Sequence, residues 1–352
     1  MKKFYKYLIP IVVLGFLSVT ALNSYAGNKD RSGQAGASEL LINPWARSSG
    51  WANVNTSSVR GLEGMFINVA GVAFTPESEF IFSHTTYLKG SDINMFAFGF
   101  SQKVGESSVL AMNVVSMSFG EVEITTAANP DGGIGTFKPN LLNVGIAYAK
   151  AFSESIYGGI NIKIISESIS DVNAQGIAID AGIQYVTGER KQIKFGIALK
   201  NIGPRMKYSG DGLLANTFLS ENDYSSSMYM PAAEFELPAT LDIGASYDIH
   251  MADIHRLTLA GNFRSNSFGK DQFMGGLEYS LKEYLILRGG YTYEDGITKK
   301  EDRTNVFTGP SAGATVQVPL NKEKNTTFSV DYSYRATDPF DGTHTIGVRV
   351  NL

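Results

Sequence analysis

The four histidines, His84, His250, His255 and His344, are the side chains best suited to acid–base or metal chemistry, and they lie far apart in the chain. No His-Glu-x-x-His spacing brings two of them onto one face, so a strand-end or interfacial position is the plainer reading of each. Neither a Gly-x-Ser-x-Gly elbow nor a Walker loop occurs. Gly132-Gly133-Ile134-Gly135 follows Asn129-Pro130-Asp131 and reads as turn chemistry, not as a phosphate cradle. The chain has no cysteine, which excludes disulfides and thiolate metal sites. With no nucleophile and base in view, the expectation is of no enzyme, no metal and no cofactor.

The carboxylates and basic groups are more informative. Lys163, Asp180, Glu278, Arg288, Asp331 and Arg335 each occupy the polar position of an alternating stretch, as do Lys194, Asp242, Asp248, Arg264 and Arg349. Glu278 and Arg288 flank the tight Lys282-Glu283 turn, which would let them pair across adjacent strands. Such a set either lines a polar translocation path or neutralises itself beneath a plug. The mixture of signs favours neutralisation, and no ring of one sign argues for ion selectivity.

The elements that carry these charges are strands. From Leu141 to Leu199 the chain reads as four successive strands: Leu142, Val144, Ile146 and Tyr148 share one face, opposite Asn143, Gly145, Ala147 and Ala149. The pattern restarts at Ile156, at Ile177 and at Ile193, always with period two. The second face is Gly, Ala and Asn with an occasional ion, where a soluble sandwich would carry dense charge. Strands about ten residues long with an apolar band and a small or polar reverse suit an all-β, antiparallel transmembrane barrel, set in outer-membrane lipid.

Residues 1–26 read as a secretory signal: Lys2, Lys3 and Lys6, an apolar run from Leu8 to Leu22, then Ser24-Tyr25-Ala26 as the cleavage site. No other stretch approaches the ~18 apolar residues of a helical span. Charged residues are 18% of the chain, low against a usual value of about 25%. Removing the signal takes three lysines and no acid, leaving 27 basic against 34 acidic residues. That balance, without a basic block, gives no support to nucleic-acid binding.

Residues 27–78 differ, with no sustained alternation but much apolar content, and they hold both tryptophans, Trp45 and Trp51. Such a segment must be covered, and the lumen of the barrel over 79–352 is the nearest place, which makes it a hatch. A periplasmic extension against the rim is the other reading. Short turns lead to Asn68-Val69-Ala70-Gly71-Val72-Ala73, which resembles the Asn-Pro-Ala-Gly hatch motif of the outer-membrane fatty-acid-transporter (FadL) superfamily, with Val69 in place of Pro. The run Arg60-Gly61-Leu62-Glu63-Gly64-Met65-Phe66-Ile67, together with Gly309-Pro310-Ser311-Ala312-Gly313 and Asp331-Tyr332-Ser333-Tyr334-Arg335, resembles the PorV/PorQ branch of Bacteroidetes-like bacteria. Trp45, Trp51, Arg60, Asn68 and Gly71 are the hatch residues so singled out.

Fourteen strands are expected, at roughly 79–88, 93–104, 108–119, 141–151, 155–166, 175–187, 191–202, 237–250, 256–266, 271–281, 284–295, 310–319, 325–335 and 342–352. The resemblance implies the same number. The first three alternate least well, and Val109 to Phe119 fits either register. Links after even-numbered strands are short, while those after the third, fifth, seventh and eleventh are long, which puts short turns in the periplasm, long loops outside and the hatch at the periplasmic end. The long link Gly203–Glu236 carries Tyr208, Phe218, Tyr224, Met228, Tyr229 and Met230, too apolar for a solvated loop and suited to a partner or to covering the mouth.

Two functions fit. The PorV/PorQ resemblance implies an accessory of type IX secretion or a related assembly, docking on a secretion channel or secreted cargo. The wider superfamily implies a transporter of hydrophobic or amphipathic small molecules. A polar, ion-paired plug argues for docking, and an apolar pocket leading to a gap in the wall argues for transport.

Overall fold

The computed structural model describes residues 27–219, 224–252, 254–321 and 326–352; the signal assigned to residues 1–26 lies outside them. Fourteen strands form one closed barrel: β1 Ser78–Tyr87, β2 Ile93–Val104, β3 Ser108–Ser118, β4 Asn140–Ala151, β5 Ile156–Ile169, β6 Val172–Thr187 and β7 Ile193–Ile202, then β8 Thr240–Ala252, β9 His255–Asn266, β10 Gln272–Leu281, β11 Leu285–Glu294, β12 Phe307–Asn321, β13 Thr326–Thr337 and β14 Thr343–Asn351. Each pairs antiparallel with its neighbour, and β14 closes on β1 from Glu79↔Asn351 to Thr86↔His344. Closure leaves no free edge, which a span through hydrocarbon requires. Among the described residues no helix is long and apolar enough to cross a membrane.

The alternation read from the sequence sets the register. Ile160 is 56% exposed on the outer face while its neighbour Asn161 is 1% exposed inside. Ile179, Phe195 and Leu259 also lie outside, and Val348 shares the outer face of Ile346. In β3, Leu110 and Met112 point out while Val109 and Ala111 point in. Both faces are apolar there because the inner one packs on the hatch, which is why its register was ambiguous.

One link departs from expectation. β5 and β6 extend further and meet at Ser170-Asp171, from Ile169↔Val172, so the link after the fifth strand is a tight turn. The long link after β7 is folded: Met206–Lys207 pairs with Glu234–Phe235, and Leu214–Leu219 with Tyr224–Tyr229.

The segment before β1 threads the lumen. Its first residues lie at the long-loop rim, where the Asn28 amide donates to the Asn266 carbonyl at 3.3 Å and Arg31 meets Glu236 at 3.1 Å. Short turns over Ser38–Leu41, Ala46–Gly50, Asn55–Ser57, Gly61–Glu63, Gly64–Ile67 and Val69–Phe74 carry it down to the short-turn rim, where β1 begins. The hatch thus joins the barrel at the expected end, but its own N-terminal part reaches the opposite one.

Two sides of the hatch meet two kinds of wall. Trp45, Leu62, Met65 and Val72 pack on Ile81, Ala97, Val109, Ala111 and Ala147 of β1–β4. Many of its polar groups reach strands beyond these, among them Arg47 to β13 and Asn68 to β6. Close approach depends on glycine: a Cβ on Gly313 would lie 3.1 Å from Gly50 Cα, and one on Gly196 would lie 2.4 Å from the Thr56 carbonyl oxygen.

Candidate functional site

Asn68 organises the hatch from within. Its side-chain oxygen accepts from the Ala70 amide at 3.1 Å, capping the Val69–Phe74 turn, while Nδ2 donates to the carbonyls of Thr56 at 2.9 Å and of Ile183 in β6 at 3.1 Å. Gly71 lies against Val59, where a Cβ would come within 2.6 Å of the carbonyl oxygen. One residue thereby ties two hatch turns to the wall, using polar atoms that would be costly to leave unpaired in a buried place.

Charge ties the hatch to the other side. Arg47 Nε donates to Asp331 Oδ1 in β13 at 2.7 Å, and its Nη2 to Ser329 Oγ at 2.8 Å. Glu63 accepts from the Ser48 amide at 2.9 Å and from Arg349 in β14 at 2.5 Å. Arg349 also meets Glu79 in β1 at 3.0 Å. Arg47, Arg60 and Glu63 are the only charged residues between 40 and 76, the signal by which sequence reasoning could have found the two anchors that it missed, Arg47 and Glu63.

The charges assigned to the lumen do point inward, and most pair. Lys163 meets Asp180 at 2.8 Å, Glu278 meets Arg288 at 2.7 Å as the turn suggested, and Arg256, not foreseen, joins Glu278 at 3.0 Å. Asp242 lies between Arg264 at 2.8 Å and Lys200 at 3.2 Å. Arg335 differs. Among the described residues it has no carboxylate in ion-pair reach, and its guanidinium sits 3.9 Å from the centroid of the Phe307 ring.

Cavities lie on both sides of the hatch. The one toward the short turns, of about 730 Å³, is polar and is lined by Trp51 and Arg60 of the hatch together with wall residues that include Lys194, Asp248 and Arg256. The one toward the long loops, of about 300 Å³, is amphipathic: Leu41, Ile42, Tyr87, Met274, Ile297 and Phe307 give it apolar walls, and Arg264, Lys270 and Arg335 give it cations.

Beside the second cavity the backbone ladder is interrupted, with Gly309 packed against the Tyr291 ring and Thr304 and Asn305 bonded to Glu294. β11 and β12 pair from Leu285↔Val316 to Tyr291↔Pro310 and no further, although β11 runs to Glu294 and β12 begins at Phe307. Pro310 has no amide hydrogen to donate, and Gly309 has a φ of +111°, a left-handed conformation suited to glycine. On its other side β12 jumps register against β13, from Phe307↔Thr337 to Ser311↔Arg335. About three residues of ladder are missing, roughly 10 Å at about 3.3 Å per residue. Thr292, Glu294 and Phe307 at this break all line the cavity.

At the same end Glu39 is buried with Glu167 of β5 nearby, and neither Oε1 has a hydrogen-bond partner. Burial first, and then the Glu167 charge, push the Glu39 carboxyl up to about 7. Tyr208 donates its hydroxyl to Glu167, and burial together with that carboxylate raises the phenol above its usual range. Tyr208 therefore turns inward against Met206 and Phe235, away from the outer surface expected for it, because its ring completes the small core over Ile165. Met228, Tyr229 and Met230 are exposed as expected, while the side chains of Phe218 and Tyr224 lie outside those described.

No protein-family model matches the chain, and no curated protein is similar enough to count as a relative. Solved structures do match in fold. The Pseudomonas putida toluene transporter TodX has a TM-score of 0.54 at 10% identity, over 88% of this chain and 97% of that one. The Ralstonia pickettii toluene transporter TbuX has a TM-score of 0.52 at 12% identity over the same shares, 88% and 97%. A Pseudomonas aeruginosa FadL homologue has a TM-score of 0.50 at 10% identity, over 87% and 97%. At such identities the likeness is one of fold: a FadL-like closed barrel of fourteen strands.

Proposed function

We propose that the chain is an outer-membrane transporter that admits hydrophobic or amphipathic small molecules past its hatch. The observation that carries this is the amphipathic cavity of about 300 Å³ set beside the break in the β11–β12 ladder. A solute partitioned in the outer leaflet would meet the break at the level of Tyr291 and Tyr293, rings exposed on the outer face of the kind found at membrane interfaces. Apolar walls then replace lipid, and Arg335 or Lys270 would hold a polar end. The toluene transporters of like fold agree with that substrate class. Uptake of a hydrophobic fluorophore into proteoliposomes tests it: the parent should accelerate uptake, and Thr292→Trp, which fills the cavity from its wall, should abolish the gain. Equal rates with and without protein would end this reading.

A second reading, docking on a type IX secretion channel or its cargo as the PorV/PorQ resemblance implies, draws support from the exposed hairpin bearing Leu214, Met228, Tyr229 and Met230. Flexible Met and Tyr side chains left in solvent suit adaptable recognition. Co-purification from native membranes distinguishes the two readings.

A further inference from the structure

The cations of the larger cavity divide into two groups. Nine Lys or Arg side chains line it against four Asp or Glu. Five of the nine, set deeper, have carboxylates in contact: Arg47 with Asp331, Lys194 with Asp248, Arg256 and Arg288 with Glu278, and Arg349 with Glu63. Even when Asp331 and Glu79 behind the lining and Glu154 beside Lys191 are added to the four acids, the cations remain two in excess.

The excess is gathered at the mouth. Arg60 has no carboxylate partner among the described residues and stacks over the Phe74 ring at 5.0 Å. Arg190 and Lys282 have none there either, and Lys191 reaches only the exposed Glu154 at 4.0 Å. Three of these four stand on two turns of the short-turn rim, between β6 and β7 and between β10 and β11, and the fourth comes from the hatch. The exposed His250 adds a further donor on this wall.

We infer that this vestibule is a binding site for a phosphate-bearing anion, held by Arg60, Arg190, Lys191 and Lys282. Guanidinium groups present paired N–H donors that match phosphate oxygens, and lysines add point charge. A concave wall of low dielectric concentrates the field of such a set, so an anion is drawn in where the same side chains on a flat surface would be screened. The ion pairs beneath leave the inner wall close to neutral, which keeps the anion at the mouth. A lipid headgroup and a soluble organophosphate share this chemistry. The site stands whether the barrel transports or docks, because it rests on the charge of the mouth alone.

Trp51 lines the same cavity and supplies the signal. Inorganic pyrophosphate is titrated into the detergent-solubilised protein at constant ionic strength, with tryptophan emission recorded. The expected result is a saturable change whose midpoint rises at least tenfold in the Arg60→Gln, Arg190→Gln, Lys282→Gln variant. It should be unmoved in Lys89→Gln, Lys299→Gln, which alters the opposite rim. Far-ultraviolet circular dichroism confirms that each variant is folded. Dihexanoyl phosphatidic acid, titrated below its micellar range, separates the sources: tighter binding than pyrophosphate assigns a lipid headgroup, and weaker binding a soluble anion. A change that does not saturate, or that survives the triple substitution, overturns the site.

Discussion

Arg349, two places before the end of the last strand, lies 2.5 Å from Glu63 of the hatch and 3.0 Å from Glu79 of the first strand. One guanidinium therefore joins the plug to the seam at which the barrel closes. Leaving two buried carboxylates without it costs about 3–5 kcal/mol, by the usual penalty for breaking a buried pair. Arg349→Gln should loosen the hatch while the thirteen inter-strand ladders other than the seam stay intact. In planar bilayers the variant should pass current in bursts where the parent is nearly silent. Identical silence would mean that Asn68 and Arg47 hold the plug unaided.

The two faces of the wall predict opposite tolerance. Ile160→Arg places a cation against lipid, at about 2–4 kcal/mol near the midplane. Gln317→Arg points the same group into the polar cavity beside Arg47 and should be milder. Yield of heat-modifiable barrel on an unheated gel compares them, and equal losses would refute the register.

Glu39 gives the hatch a pH dependence. Its carboxyl binds a proton more tightly in the folded protein, at about 7, than at the ordinary 4.5 of the unfolded chain. Between those values the unfolded state holds fewer protons, so stability falls as pH rises through about 4.5 to 7 and changes no further above that window. The parent should melt at a higher temperature at pH 5.5 than at pH 8, and Glu39→Gln should narrow the difference. A difference that the substitution leaves unchanged would assign it elsewhere.

The exposed hairpin tests the docking reading. Met228→Ser, Tyr229→Ser, Met230→Ser alters no barrel strand, so assembly and solute uptake should match the parent. Weakened co-purification with a membrane or secreted protein would support docking, and unaltered recovery of partners would reduce the hairpin to a cover.

Much of this architecture is legible in the sequence because period two is enforced wherever one face meets lipid. Ile160, Phe195 and Leu259 had to alternate with small or polar neighbours, and the strands could be counted from them. What fills the lumen was less legible. Asn161 looks like a residue facing water, yet it bonds Asp180 at 3.1 Å and the Met65 carbonyl at 3.3 Å beneath the hatch. Its partners lie 19 and 96 residues away, and no local pattern encodes such distances. The vestibule cations were missed for a similar reason: Arg190, Lys191 and Lys282 sit in turns, where charge is ordinary, and only closure of the barrel brings them to one mouth with Arg60. Pro310 and Gly309 were visible as a motif, but the break they make appears only when β11 stops pairing three residues early.

The course of the hatch from one rim to the other bears on the order in which the molecule is made. A segment held at the long-loop rim by Arg31 and Glu236, and leaving at the other rim as β1, passes through a closed ring like a cord through a bead. Threading it afterwards would drag Trp45 and Trp51 past glycines that leave no room for a Cβ. Wrapping the wall around the hatch, whose apolar side packs on β1 to β4, avoids that passage. The hatch lies in the barrel as a mandrel lies in a winding, and a chain lacking it should close more slowly, whatever it conducts once closed.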